Sequence, residues 1–492
     1  MIMSLRLLAT VLLFLSAIGS AEPVLAQFKP RTWTLGDQKV RATFVELDGD
    51  TVRIQLSDGT RADVPLQRLK VVDRDYARRM ARSARGALMA NDSSDWFQWR
   101  GPNRNGISNE KGLLDAWPAE GPPVAWKAEG FGAGYSSVSI SEGRLYTMGK
   151  FGDDTKLIAR DASNGKPIWE SLVGKGGDGP NCTPTVDGDL VYALSFEGDL
   201  LCADSKTGKE VWRTSFPENF GGQMMSGWGY SESPLVDGDR LVVTPGAQDA
   251  MMAALNKRTG QVLWKTAMAP NPGPAGKDGA GYSSIVLSRA DGVKQYVQLV
   301  GRGLIGVKAD NGELLWKYNR VANGTANVPT PIVSGDFVFC SSGYDDGGSA
   351  LLRLKNTGRQ MEATEVWYRR SKDLQNHHGG MIQLGDQIYL GHGHNLGFPI
   401  CFDWKSGLER WRPGRGAGTG SAAIVAADGH LYFRYENGVM TLIEATPKEY
   451  RLKGKFQIGI NNGKSWPHPV IYKGHLYLRD QQELICYDLR KK

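Results

Sequence analysis

Long apolar runs are scarce. Beyond the first twenty residues no stretch of about eighteen could cross a bilayer as a helix, so no transmembrane segment is expected in the mature chain. Cysteine is rare, five in 492 residues. No two cysteines are adjacent and no C-x-x-C-H occurs, which excludes a covalently attached c-type haem. There is no G-x-S-x-G elbow, H-E-x-x-H pair, phosphate-binding P-loop or strand-to-helix G-x-G-x-x-G, so the common nucleophile, zinc and nucleotide signatures are missing. Asp345-Asp346-Gly347-Gly348 is acidic but too short for a calcium loop. The charge surplus is only +7 and carries no clustered basic patch, so no nucleic-acid partner is expected.

Glycine is abundant. Sixty-two residues are about twice ordinary usage, while 41% hydrophobic and 23% charged residues are ordinary for a globular chain. The combination predicts many tight turns. The start of the chain reads as an export signal spanning residues 1–26: Arg6, an apolar stretch from Leu7 to Ile18, and Val24-Leu25-Ala26 as the cleavage site. Cleavage there removes one charge of each sign. No cysteine follows the apolar stretch, so a lipid anchor is not expected, and the mature protein is expected in the periplasm or outside the cell.

From about residue 134 two signatures alternate. The first is a Gly-containing turn followed by β-branched, Leu and aromatic residues, the pattern of a β-hairpin. It starts at Ser141, Val186, Val236, Arg289, Val333, Leu384, Ala427 and Tyr472. The second puts Trp four residues after Gly: Gly165 and Trp169, Gly208 and Trp212, Gly260 and Trp264, Gly312 and Trp316, Gly407 and Trp411. Asp or Asn at the head of the turn accepts backbone N–H groups, Gly takes positive φ, and Trp opens a strand with a large packing face. One more copy, the fifth in chain order, is stretched, Gly358 to Trp367. Cys202, Cys401 and Cys486 occupy one register of this repeat and read as small buried hydrophobes.

Four short strands repeated eight times predict an eight-bladed β-propeller over residues 96–492, roughly 50 residues per blade. The eighth unit ends without a fourth strand. Residues 123–127, carrying Trp126, are expected to supply it and close the ring. Ahead of the ring, residues 31–76 read as a small SH3-like barrel with Asp48-Gly49 and Asp58-Gly59 turns, and 77–95 as a basic helix and linker.

The unit Ala159-Asp161-Gly165-Trp169 resembles the tryptophan-docking repeat of quinoprotein alcohol dehydrogenases and of the outer-membrane assembly factor BamB. The segment from Asp95 to Ser108 and the run from Gln375 to Gly380 resemble exported PQQ-binding-like propeller proteins. Residues 31–76 resemble the SLA homology domain at Trp33, Ala42, Phe44, Asp58-Gly59, Val64-Pro65-Leu66 and Asp73. The quinoprotein resemblance implies pyrroloquinoline quinone on the propeller axis, between a Trp and a disulfide of adjacent cysteines, with Ca²⁺ on carboxylates. This chain has no adjacent cysteines and no matching acid pair.

Histidine is the remaining oddity: seven in all, four of them within eighteen residues, His377, His378, His392 and His394. They fall in two loops that emerge on one face of a blade. They are therefore candidates for a Zn²⁺ or Cu²⁺ site, or simply caps for backbone groups. The equivalent loops of other blades carry Tyr135, Asn181, Tyr230, Glu232, Tyr282, Asn327, Trp466 and His468. These suit a protein or peptide partner, or else close turns around a watery channel. The favoured reading is a noncatalytic, BamB-like scaffold for protein or peptide partners in the cell envelope. The alternative is a PQQ-dependent or metal-dependent oxidoreductase with its site on the axis.

Overall fold

The computed structural model describes residues 30–35, 38–48, 51–74, 76–77, 95–344, 346–459 and 464–491. The export signal and nearly all of the 77–95 linker lie outside them, as does Gly49 of the first Asp-Gly turn. The chain divides into two compact units, Met1–Ser93 and Ser94–Lys492.

In the first unit, strands Arg31–Leu35, Gln38–Asp48, Thr51–Leu56 and Arg61–Pro65 form an antiparallel meander in sequence order. Trp33, Ala42, Phe44, Val64 and Leu66 are buried in its core. The Trp33 indole N–H donates to the Ala42 carbonyl at 2.9 Å. Buried Asp73 ties the first strand down, accepting from Arg31 Nη2 at 2.6 Å and from Thr34 N at 2.9 Å.

Among the described residues the second unit is a β-propeller of eight sheets, antiparallel but for one short added strand. Sheets 1 to 7 span residues 139–175, 185–215, 235–266, 286–318, 332–370, 376–411 and 422–457. Sheet 8 combines 470–488 with strand Val124–Glu129. Sheets 1 to 7 are each built on a four-stranded meander, with Ile107–Ser108 added to sheet 7, because turns such as Asp187-Gly188 and Asp237-Gly238 fold consecutive strands onto each other. Inner strands are buried on both faces and outer strands alternate, as a stack of radial sheets requires. In sheet 8, Val124–Glu129 runs antiparallel to the last strand with Trp126 opposite Cys486.

The Trp–Gly repeat is the joint between sheets. A Cβ on Gly208 would meet Trp169 at 2.4 Å, one on Gly260 would meet Trp212 at 2.8 Å, and one on Gly312 would meet Trp264 at 2.5 Å. Only glycine lets the indole of one sheet lie on the turn of the next, and its positive φ suits the same position. The indole N–H then donates to a carbonyl of that turn: Trp169 to Ser205, Trp212 to Lys257, Trp367 to Trp404 and Trp411 to Thr446. A Tyr on the second strand reaches the same acceptor, Tyr146 at Ser205 and Tyr192 at Lys257. Trp316 departs from the pattern. The outer hairpin of sheet 5 is lengthened to strands Gly348–Asn356 and Met361–Arg370, which leaves Gly358 with nothing within 4 Å. Trp316 bonds instead to Gln295 Oε1 of its own sheet at 2.6 Å.

Fully buried Arg479 joins sheet 8 to sheet 1. It donates to the carbonyls of Phe131, Gly132, Ser136 and Met148 and to Thr147 Oγ1. All five cysteines are buried and free, and burial pushes the Cys202, Cys401 and Cys486 thiols up to about 12.

Candidate functional site: a plugged channel under an imidazole and aromatic rim

The segment between Asp95 and Glu110 threads the interior of the ring. Ile140 N of sheet 1 donates to the Trp96 carbonyl at 2.8 Å, and Val186 N of sheet 2 donates to Phe97 O at 2.8 Å. Arg104 donates to Ser233 O at 2.6 Å and to Pro234 O at 3.2 Å, at the entrance to sheet 3. Trp99 donates to Thr330 Oγ1 beside sheet 5 at 3.2 Å, and Arg100 donates to Met381 O of sheet 6. Ile107–Ser108 runs parallel to Ala426 and Ala427 of sheet 7. Glu110 accepts from Lys473 N and Gly474 N in the hairpin turn of sheet 8. A segment bonded to seven of eight sheets crosses the axis, and it acts as a plug. Its tight coil depends on left-handed residues, Gly101 above all, where a Cβ would stand 2.9 Å from the Trp96 ring.

At the top of the plug, Trp99 packs against His468 with ring centroids 4.5 Å apart and planes tilted by 56°, and His468 Nε2 donates to the His378 carbonyl at 3.2 Å. From there a run of rings crosses the rim. Tyr135 lies 4.6 Å from Trp466, Trp466 5.0 Å from His378, His378 4.5 Å from His377, His377 4.5 Å from His394, and His394 4.5 Å from Tyr344. Three of the four predicted histidines therefore meet, and His468 joins beneath. His392 does not: its Nδ1 accepts from Gln375 N at 3.2 Å, and the Arg412 charge faces it. The quartet expected from the two loops is corrected to His377, His378 and His394. The alternation of strand Gln387–His392 turns the His392 ring away from the others.

These rings do not make a metal centre. His377 spends Nδ1 on Ser421 Oγ at 2.6 Å and Nε2 on the Tyr344 hydroxyl at 3.3 Å. Among the described residues no three His, Cys, Asp or Glu side chains are grouped to hold an ion. Burial, reinforced by neighbouring positive groups, drops His377 to about 2 and His378 and His468 to about 3, so all three are neutral at physiological pH. Among the described residues, His378 Nε2, His468 Nδ1 and Trp466 Nε1 are buried without a hydrogen-bond partner.

The residues also do not fit a quinone site. No disulfide can form the expected sandwich wall, since the five thiols are buried and separate. The buried carboxyl of Glu232 accepts from Thr244 N and faces Arg104, and burial pushes it up to about 7.

The rim residues expected to face a partner divide. Tyr135, Asn181 and Trp466 are partly exposed. Tyr230, Glu232, Tyr282, Asn327 and His468 are buried and are not presented. The Tyr230 hydroxyl donates to Pro245 O, Tyr282 shares a hydrogen bond with Ser226 Oγ, and Asn327 donates to Val300 O and Gly301 O. These loops close on themselves through the very groups that make Tyr and Asn good contact residues. Sequence reasoning missed Tyr344, which sits in the loop between strands Phe337–Ser341 and Gly348–Asn356 of sheet 5, and the plug, whose run of Trp, Arg, Asn and Gly has no strand pattern.

A family model described as outer membrane protein assembly factor BamB matches residues 110–195 and 153–413. The assembly factor BamB of Burkholderia pseudomallei is 24% identical over 250 residues, covering 50% of this chain and 58% of that protein. The chain thus spans less than two thirds of that relative. The dehydrogenase subunit of a quinone alcohol dehydrogenase from Komagataeibacter europaeus is 30% identical over 135 residues, 24% of this chain and 18% of that one. Among solved structures, BamB of Moraxella catarrhalis superposes with a TM-score of 0.55 at 12% identity, covering 75% of this chain and 99% of that chain, a likeness of fold.

Proposed function

The chain belongs to the outer membrane protein assembly factor BamB family, and from that premise we propose that it is an exported, noncatalytic scaffold whose propeller holds protein or peptide partners in the cell envelope. The observation that carries this reading is the division of the axis. The plug occupies the channel from within, and what remains at the rim is the neutral imidazoles of His377 and His378, the His394 ring and partly exposed aromatics. Tyr135, Trp466 and Tyr344 are partly exposed and offer contact area at small entropic cost. The small amino-terminal sheet supplies a second contact surface, as an SH3-like module. No nucleic acid is involved.

A photo-crosslinking residue in place of Tyr135 or Trp466, in the exporting cell, tests this. One discrete protein adduct is expected at each rim position and none at Lys448, an exposed residue remote from the rim. Equal adducts at all three positions, or none at the rim, would overturn the reading. A quinone-dependent oxidoreductase is the second reading, favoured by the match to the Komagataeibacter enzyme and opposed by the free, separated cysteines.

A further inference from the structure

The plug does not fill the channel evenly. At the hairpin-turn end of the inner strands of sheets 3 to 6 it leaves a cavity of about 390 Å³, within the size range of small-molecule sites. One wall is apolar, formed by Val236, Leu287, Ile332 and Val333. The other is the plug itself, with Arg100 and Arg104. Both arginines are almost completely buried, 4% and 5% exposed, and the Nε of each has no hydrogen-bond partner among the described residues.

The two are not equivalent. Arg104 donates to Gln98 Oε1, Ser233 O and Pro234 O and has the Glu232 carboxyl nearby. Arg100 has no such neighbour. Its two hydrogen bonds both leave Nη2 and end on the backbone carbonyls of Asn105 and Met381, and burial alone acts on its charge, with no carboxylate opposing it. Charged groups are almost never fully buried unless paired, so an uncompensated guanidinium on the wall of a cavity calls for a counter-ion. A guanidinium donates to a planar carboxylate through a matching fork, and the apolar wall opposite suits an organic body on that carboxylate.

We propose that this cavity is a binding site for a small organic monoanion, a carboxylate on a short apolar body, with its charge against Arg100 and its body against Val236, Leu287, Ile332 and Val333.

Titration calorimetry of the full chain with octanoate, its neutral isostere octanamide and the cation octylammonium tests the charge requirement. Octanoate is expected to bind one to one, at least tenfold more tightly than octanamide, with no binding of octylammonium. Arg100→Gln should bring octanoate down to the level of octanamide. Val333→Trp, which narrows the cavity without touching either guanidinium, should remove the binding of both. If Arg100→Gln does not fold, the ligand series and Val333→Trp still decide. Equal affinity for octanoate and octanamide, octanoate binding that survives Val333→Trp, or no saturable octanoate binding would each overturn the proposal.

Discussion

The indole of Trp126 lies so close to Gly165 that a Cβ on the glycine would stand 2.8 Å from the ring. The strand that precedes sheet 1 thus completes sheet 8 and is sealed to sheet 1 by the same joint that links the other sheets. Gly165 has φ +71° and Gly188, in an exposed turn, φ +61° with nothing within 4 Å of an added Cβ. Gly188→Ala should therefore cost about 1 to 2 kcal/mol of stability for its backbone alone. Gly165→Ala should cost about 2 kcal/mol more, from crowding against Trp126. Urea unfolding of the two variants measures the difference, and equal losses would mean the joint contributes nothing.

Arg479 should be among the least replaceable surface-free cations of the ring. Arg479→Met leaves the carbonyls of Phe131, Gly132, Ser136 and Met148 short of a donor and should cost about 3 kcal/mol or more. Arg258 makes an exposed pair with Asp189, and Arg258→Met should cost under about 1 kcal/mol. Denaturant midpoints of the two variants report the contrast.

The buried imidazoles make stability depend on pH. His377, His378, His392 and His468 all titrate in the folded state well below 6.5. Below about pH 6.5 the unfolded chain takes up protons that the folded chain refuses, so their stabilising contribution is complete above that pH and is lost as pH falls. Each proton of difference is worth about 1.4 kcal/mol per pH unit. Glu232 opposes with one proton: raised from 4.5 to about 7, it contributes fully below 4.5 and loses that contribution as pH rises through 7. The histidines outnumber it, so unfolding midpoints should rise from pH 5 to pH 6.5. A flat or falling profile would contradict the neutral rim.

The plug should respond as a unit. Gly101→Val forces a branched side chain into the Trp96 ring and should loosen the segment. The amides of Val186 and Ala426, which donate to Phe97 O and Gly106 O, should then exchange with solvent faster. The amide of Tyr192, inside the ladder of sheet 2, should keep its protection.

The propeller was legible because its joints are local and repeated: Gly165, Gly208, Gly260 and Gly312 precede their own sheet's Trp by a fixed four residues, yet each accepts the Trp of the sheet before. Sequence spacing displays such a rule without revealing which partner each ring meets. The plug was illegible for the opposite reason. Its contacts run from Trp99 to Thr330 and from Arg100 to Met381, far along the chain, and nothing in the composition of a single loop announces that it will be buried on an axis. The histidine cluster was partly legible. The structure does bring His377, His378 and His394 to one rim, although His377 and His378 lie in an irregular part of strand Asn376–Leu384 rather than in a loop. Strand alternation, which removes His392, and the Trp99 ring beneath His468 both depend on the folded geometry.

Equilibrium dialysis of the purified full chain against pyrroloquinoline quinone and Ca²⁺, followed by a dye-linked alcohol oxidation assay on the retained protein, tests the noncatalytic reading most directly. With the axis filled by Trp99, Arg100 and Arg104, the quinone should be left behind and the dye unreduced. One quinone retained per chain with alcohol-dependent dye reduction would contradict it.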